Sequence, residues 1–248
     1  MNVSLYQAAA SMNAQARWQE LITQNLAAGA VPGYRKSDVS FSAVEAGLPA
    51  TALNGTAMRH VIPAARTGTN FQPGELRATG GATDLALEGP GFFEVQLPNG
   101  NSAYTRDGEL HVSAQGQLVT KQGYSVLSDS GPLQFDPNNG GAITISADGH
   151  VSQGGDVKGT LRLTEFKDPH ALTSINDGFF LADKPEAQPE TAVGTQVRQG
   201  FLEASNTSPT AEMASLITSM RMFEASQKVL QMQDERMGKV ITEVGNPS

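Results

Sequence analysis

The side chains that could support acid–base or metal chemistry are few and far apart in the sequence. The four histidines are His60, His111, His150 and His170. They form no i, i+4 pair and no HExxH motif, and no carboxylate accompanies them at the spacing of a metal ligand. The absence of cysteine excludes thiol catalysis, disulfides and thiolate metal sites. The sequence therefore predicts no metal site and no cofactor.

Two carboxylates and a glycine-rich turn are the remaining candidates for chemistry. Asp84 and Glu88 are four residues apart, and nothing in the sequence brings them together in one cleft as a catalytic pair. Gly89-Pro90-Gly91 is a weak match to a phosphate-binding loop, because Pro90 has no N–H to offer and no Gly-Lys-Ser/Thr follows. We interpret this segment as a turn. Asp107 is predicted to be a turn residue that bonds its own backbone. No enzyme is indicated.

Composition limits the class of partner. The 248 residues carry a net charge of −8 and no cluster of basic residues, which argues against nucleic acid as a partner. No stretch approaches the roughly 18–20 apolar residues that span a bilayer, so we expect no membrane insertion. The first residues lack the basic and apolar regions of a general secretory signal.

The first segment has the periodicity of an amphipathic helix over residues 3–26. Leu5, Met12 and Leu26 recur at multiples of seven, and Ile22 lies on the same side. Trp18 is a candidate interface anchor, with packing inside the same molecule as the alternative.

The last segment predicts a longer helix, from Thr210 to Val244, that would be about 50 Å long. Pro209 suits its first position, with Ser208 or Asn206 as the cap. Its apolar residues fall into two heptad columns. The first column holds Met213, Met220 and Ile241, and the second holds Leu216, Phe223, Leu230, Met237 and Val244. A helix of this length needs a partner helix, and the first segment is the other candidate in the chain.

The middle of the chain predicts short antiparallel strands. Phe93, Val95 and Leu97 alternate with polar residues as in a half-buried strand, and Asn99-Gly100 predicts a tight hairpin. Further strands are predicted at Ser102–Thr105, Leu110–Val112, Leu118–Thr120, Tyr124–Leu127, Ile143–Ile145, Leu161–Phe166 and Phe179–Leu181. The fold class is therefore mainly β with terminal α-helices, which pair as a coiled-coil-like segment around a central antiparallel β domain. The predicted regions are an N-terminal assembly helix with its turn (1–35), an extended linker (36–75), a β-rich domain (76–204) and a C-terminal assembly helix (205–248).

Five short blocks, taken in order, resemble the bacterial flagellar rod and hook protein family. The N-terminal signature and the central motifs supply Asn25, Leu26, Ala27, Gly33, Tyr34, Asp84, Gly91, Phe92, Tyr104, Arg106, Asp107 and Gly108. The C-terminal motif supplies Gly200, Glu203, Ser205, Asn206 and Glu212. The chain departs from the signature at Ala28 and Val31, where the family has Asn and Thr. The blocks span almost the whole chain.

The resemblance implies a structural subunit of the flagellar basal-body rod. Such a subunit is exported unfolded through the flagellar type III apparatus and assembles helically in the periplasm with itself and other rod subunits. Its terminal helices form the interface and stay unfolded until assembly. Length and brief central loops favour the proximal-rod branch, with distal-rod and hook subunits as alternatives.

Two other classes stay open at this point. One is a secreted β-domain enzyme or carbohydrate-binding module, and the other is a chaperone or cap protein of the same export pathway. The assembly interface predicted on the rod reading consists of Leu5, Met12, Trp18, Ile22, Leu26, Met213, Leu216, Met220, Phe223, Leu230 and Met237.

Overall fold

A computed structural model describes residues 3–45, 61–136, 139–175 and 178–245, with side chains described for 9–40, 66–136, 139–175 and 178–239. The helices are α1 (Val3–Ala27) and α2 (Pro209–Gly245), with 3₁₀ turns at Ala28–Ala30 and Pro169–Ala171. The first strands are β1 (Ser37–Glu45), β2 (Val61–Thr69), β3 (Leu76–Ala78), β4 (Leu85–Glu88), β5 (Phe92–Gln96), β6 (Ser102–Thr105), β7 (Leu110–Val112), β8 (Leu118–Thr120), β9 (Ser125–Ser128) and β10 (Gly131–Pro132). The others are β11 (Ile143–Ile145), β12 (His150–Gln153), β13 (Asp156–Thr160), β14 (Leu163–Phe166), β15 (Thr173–Ile175), β16 (Phe179–Leu181), β17 (Pro189–Thr191), β18 (Gln196–Gln199) and β19 (Phe201–Glu203).

The chain divides into two compact units. The helical unit contains Met1–Ala27, Ser37–Gly68 and Ser208–Ser248, and the β unit contains Ala28–Lys36 and Thr69–Thr207. The mainly β architecture with a helix at each end is confirmed.

In the helical unit, α1 and α2 pack against each other. Gln15 Nε2 donates to Ser226 Oγ at 3.2 Å, which fixes one point of this contact. Ile22 is 2% exposed and is the most buried apolar side chain of the described part of α1. Helix α1 has 25 residues and α2 has 37, a difference of about three turns. Because α2 is longer, α1 cannot cover all of it.

Of the two predicted heptad columns of α2, the second lies largely on the covered side of the helix and the first does not. Leu216, Phe223 and Leu230 are half-buried, as the second column predicts. The alternate positions are occupied by Glu212 and Ser219, which are buried, and by Ser226 and Gln233, which are half-buried. Ser219 and Ser226 are small, which lets two helices approach closely, and Ser226 accepts the hydrogen bond from Gln15.

The methionines of the expected columns lie on the outside. Met213, Met220 and Met237 are 53%, 50% and 46% exposed. Met12, Trp18 and Leu26 are half-buried, and the Leu5 side chain lies outside the described residues, as do those of Ile241 and Val244.

The region taken from the sequence as a linker, 36–75, contains β1 and β2, which pair as a two-stranded sheet. Residues 46–60 lie outside the described ranges. β2 was not apparent because residues 43–74 are rich in Ala, Gly, Thr and Pro and lack clear periodicity. β1 does carry a short alternation, with Val39 and Phe41 between polar residues, which the interpretation as a linker missed.

The β unit is built around one large antiparallel sheet in the order β15-β16-β6-β5-β9-β8-β7, from which β10 branches at β9, and β14 with β17 at β5. Smaller sheets are β11-β12-β13, β18-β4 and β19-β3. Every strand pairing with a described register is antiparallel, and the hairpin at Asn99-Gly100 is confirmed because β5 pairs with β6 on either side of it.

β5 is buried on both faces, not on one. Phe93 and Val95 belong to the main hydrophobic core, whereas Phe92 belongs to a second, aromatic core with Phe166 and Phe180. The Glu94 carboxylate, expected to face solvent, is 7% exposed and accepts a hydrogen bond from Ser102 Oγ at 2.6 Å. The alternation of apolar and polar residues therefore predicted the strand correctly, but it did not reveal that both faces of the strand are buried.

The turn after α1 is folded onto the loop that follows β6. Gly33 has φ +66° and a Cβ there would lie 2.2 Å from the Arg106 carbonyl carbon. Its N–H donates to the Glu203 carbonyl at 2.7 Å. Glycine is required here both by the backbone angle and by the space.

Gly33→Ala tests this contact. We expect it to lower the free energy of unfolding by about 3 kcal/mol or more, because the cost of backbone strain is added to that of a clash with main-chain atoms. Gly80→Ala is the matched control, since Gly80 has φ +73° but open space around its Cβ, and should cost only about 1 kcal/mol. Urea unfolding followed by circular dichroism measures both, and equal losses would show that the close packing contributes nothing.

Candidate functional site

The polar centre of the β unit is the Glu203 carboxylate, which lies between two arginines. Its Oε1 is 2.6 Å from Arg35 Nη1, and its Oε2 is 3.3 Å from Arg106 Nη1. All three side chains are at most 4% exposed. Oε1 also accepts the Gly74 N–H at 2.8 Å. One carboxylate thus joins three sequence-distant segments of the β unit to the last strand, β19.

Arg106 is held by further contacts. Its Nη1 donates to the Leu87 carbonyl at 3.3 Å and its Nη2 to the Gly89 carbonyl. The guanidinium carbon lies 5.1 Å from the centroid of the Phe92 ring. Burial, together with the nearby Arg35 charge, lowers the pKa of Arg106 to about 10, and Glu203 opposes that decrease. Arg106 therefore remains charged at neutral pH.

Asn25 and Asn206 each fix a neighbouring strand or loop by their side-chain amides. Within the helical unit, Asn25 Nδ2 donates to the Ser37 carbonyl at 2.8 Å and Oδ1 accepts the Ser37 N–H at 2.9 Å, which sets the start of β1. Within the β unit, Asn206 Oδ1 accepts the Lys36 N–H at 2.8 Å and Nδ2 donates to the carbonyls of Asn70 and Gln72, both at 2.9 Å. Asn206 is therefore occupied by loops of the β unit, and its proposed role as the cap of α2 is not seen.

Asp107 forms the predicted turn. Its Oδ1 accepts the Glu109 N–H at 2.9 Å, and the side chain is buried. Burial raises the pKa of Asp107 to about 6, with the charge of Glu109 adding to it and the backbone hydrogen bond from Glu109 acting against it.

The other motif residues have structural positions. Gly91, Phe92, Tyr104, Gly108 and Glu212 are buried; Leu26, Tyr34, Asp84, Gly200 and Ser205 are half-buried; Ala27 is exposed. Asp84 and Glu88 have separate partners: Asp84 Oδ2 accepts from Thr79 Oγ1, and Glu88 pairs with Arg198 at 2.8 Å. No acid–base pair is formed by these two carboxylates.

Sequence reasoning missed the pairing of Glu203 with Arg35 and Arg106. The signal was available, because Arg106 and Glu203 lie inside family blocks and Arg35 directly follows Gly33-Tyr34 of the N-terminal signature. Among the described residues, no group of three or more His, Cys, Asp or Glu side chains is placed to hold a metal ion. None of the helices in the described ranges is long and apolar enough to cross a membrane.

Glu203→Gln tests the buried ion pair. We expect the free energy of unfolding to fall by about 3–5 kcal/mol, because two buried cations lose their compensating charge while the side-chain shape is kept. Glu88→Gln, which breaks the half-exposed pair with Arg198, should cost less than about 1 kcal/mol. Guanidinium unfolding of both variants provides the comparison, and a small loss for Glu203→Gln would contradict the assignment.

Asp107→Asn tests the raised pKa. The folded-state pKa of about 6 exceeds the unfolded value of about 4, so the folded state binds the proton more tightly. The stabilisation linked to protonation is therefore complete below about pH 4 and is lost as the pH rises through about 6. Relative to Asp107→Asn, the wild-type protein should lose on the order of 1–3 kcal/mol between about pH 4 and pH 7. Parallel pH profiles for the two proteins would contradict this prediction.

Comparisons with known proteins agree with the order of these motifs. Residues 86–153 match the model described as the flagellar hook protein FlgE/F/G D1 domain, and residues 198–243 match the flagellar basal body rod FlgEFG protein C-terminal model.

Full-length relatives give the same result. The flagellar basal-body rod protein FlgG of Borreliella burgdorferi is 32% identical over 95% of this chain and 96% of its own length. FlgF of Caulobacter vibrioides is 32% identical over 97% of this chain and 100% of its own. FlgF of Salmonella typhimurium is 32% identical over 96% of this chain and 97% of its own length. The chain therefore belongs to the FlgE/F/G family of flagellar basal-body rod and hook proteins.

Proposed function

We propose that this chain is a structural subunit of the flagellar basal-body rod and that it polymerises through α1 and α2. The full-length similarity to proteins named basal-body rod proteins supports the assignment to the rod. Members of this family are structural and non-enzymatic components of the basal body in the periplasmic space, and they assemble with other rod subunits. The enzyme and carbohydrate-binding readings are set aside by this membership.

The exposed side of α2 supports the assembly role. Met213, Met220 and Met237 each leave about half of their surface in contact with solvent, and Ile217 is 55% exposed. Apolar burial contributes roughly 25 cal/mol per Å², so covering this row on a neighbouring subunit would contribute several kcal/mol. Methionine side chains adapt to irregular surfaces, which suits contacts with more than one kind of subunit.

The pairing of α1 with α2 would be coiled-coil-like. Buried and half-buried positions along α2 alternate by four and three residues, from Glu212 through Leu216, Ser219, Phe223, Ser226 and Leu230. This seam leaves Met213 and Met220 exposed for a second contact. The predicted interface therefore divides into a seam inside the subunit, with Leu216, Phe223 and Leu230, and a face between subunits, with Met213 and Met220.

A position in the proximal rod is the finer proposal. The modest length and brief central loops favour it, and the match to FlgF of Caulobacter vibrioides covers the whole of that protein. The distal rod is the alternative, because the match to FlgG of Borreliella burgdorferi is equally strong at 32% identity. Export through the flagellar type III apparatus, with the terminal segments ordering on assembly, belongs to the same proposal.

The double variant Met213→Glu/Met220→Glu tests the interface between subunits. It should leave the monomer's stability nearly unchanged, because both side chains are exposed, and should abolish swimming, because buried glutamates would oppose stacking. Swimming in soft agar and an immunoblot of purified basal bodies, in cells that lack the native protein, measure the effect.

The matched control is Val157→Glu/Val193→Glu, which places the same charges at apolar positions of the β unit that are 75% and 96% exposed. Normal incorporation of the control with loss of the helix variant supports the proposal. Normal incorporation of the helix variant would refute it. Antibody labelling of the same basal bodies, at the membrane end or the hook end of the rod, decides between proximal and distal positions.

A further inference from the structure

A cavity of about 590 Å³ opens in the β unit beside the Arg35–Glu203–Arg106 cluster. Its lining is largely apolar and includes the rings of Phe71, Phe92 and Phe166. A volume of this size admits a small ligand or a large side chain with part of its backbone. Nothing in the rod function described above requires an open cavity at this position.

The polar part of the lining includes donors that have no acceptor. Arg35 and Arg106 both line the cavity, and in the described part of the chain the buried nitrogens Arg35 Nε, Arg35 Nη1 and Arg106 Nε have no hydrogen-bond acceptor. Arg35 Nη1 contacts Glu203 as an ion pair without hydrogen-bond geometry. The Glu203 oxygens already accept from Gly74 and Arg106. A guest that brings an acceptor would satisfy donors that are costly to leave unpaired.

The charges favour an anionic acceptor. In the described part of the chain, the carboxylate within ion-pair distance of both Arg35 and Arg106 is that of Glu203. Glu88 and Glu165 also line the cavity, but Glu88 is paired with Arg198 at 2.8 Å, and Glu165 raises the pKa of Arg106 less than Arg35 lowers it. At the rim, Lys167 pairs with Glu190 at 2.7 Å. Guanidinium groups match the geometry of a carboxylate, and the aromatic walls match an apolar body.

We propose that this cavity binds a carboxylate carried on an apolar body, with the carboxylate at Arg35 and Arg106 and the body against Phe71, Phe92 and Phe166. The carboxylate can belong to a free small molecule or to an Asp or Glu side chain of another copy of the chain. The chemistry is the same in both cases, and it does not depend on the rod function.

The test uses 4-phenylbutyrate as the probe and its neutral amide, 4-phenylbutyramide, as the control. Nitrogen-15 spectra of the full chain report the Arg35 and Arg106 Nε–Hε groups directly. The carboxylate should shift both signals saturably, and the amide should not at the same concentration. Equal shifts with both compounds, or no shift with either, would overturn the proposal.

A variant pair at the mouth of the cavity separates binding from folding. Leu76 lines the cavity, is 40% exposed and lies on the exposed strand β3, so its replacement should leave the fold intact. Leu76→Glu should weaken probe binding about tenfold relative to Leu76→Gln, because it places a like charge at the entrance. Equal affinities of the two variants would contradict a carboxylate site.

Protein concentration distinguishes the two sources. Without any probe, the same Nε–Hε signals should move between micromolar and millimolar protein if a second copy supplies the carboxylate, and Leu76→Glu should reverse the movement. Signals that move only with the probe assign the site to small carboxylates.

Discussion

The Glu203 carboxylate is the interaction on which the β unit depends most. It is buried between Arg35 and Arg106 and also accepts the Gly74 N–H, so one side chain joins the turn after α1, the loop after β6 and the segment before β3. A buried charge of this kind is costly to desolvate and stable only when every partner is in place. The arrangement therefore favours one geometry of these segments more than it adds to total stability.

The helical unit follows a different principle. Its seam uses small and polar residues such as Ser219 and Ser226, and the Gln15–Ser226 hydrogen bond adds direction to the contact. Large apolar side chains such as Met220 remain outside the seam. Leu216, Phe223 and Leu230 complete the seam, whereas Met213 and Met220 are exposed and are the side chains that we propose are buried on another subunit.

Much of the fold could be predicted from the sequence. Helical periodicity gave both helices to within a few residues, and strand β6 was predicted with its observed bounds, because Asn99-Gly100 fixes the hairpin before it. The rest depends on tertiary contacts. The heptad column of α2 was displaced because hydrophobicity alone favours Met213 and Met220 over Ser219, and periodicity does not reveal which face a partner helix covers. The pairing of Glu203 with two arginines joins positions far apart in the chain, and residue types alone do not pair them.

The central claim is that the β unit is fully folded in the isolated subunit, whereas α2 is stabilised by contacts made on assembly. Hydrogen exchange tests this claim most directly. Amide exchange should be compared between the isolated subunit and intact basal bodies. The account predicts that the Gly33 and Gly74 amides, both bonded to Glu203, are equally protected in the two samples, whereas residues 213–237 of α2 gain strong protection only in the rod. Full protection of α2 in the monomer, unchanged on assembly, would contradict it.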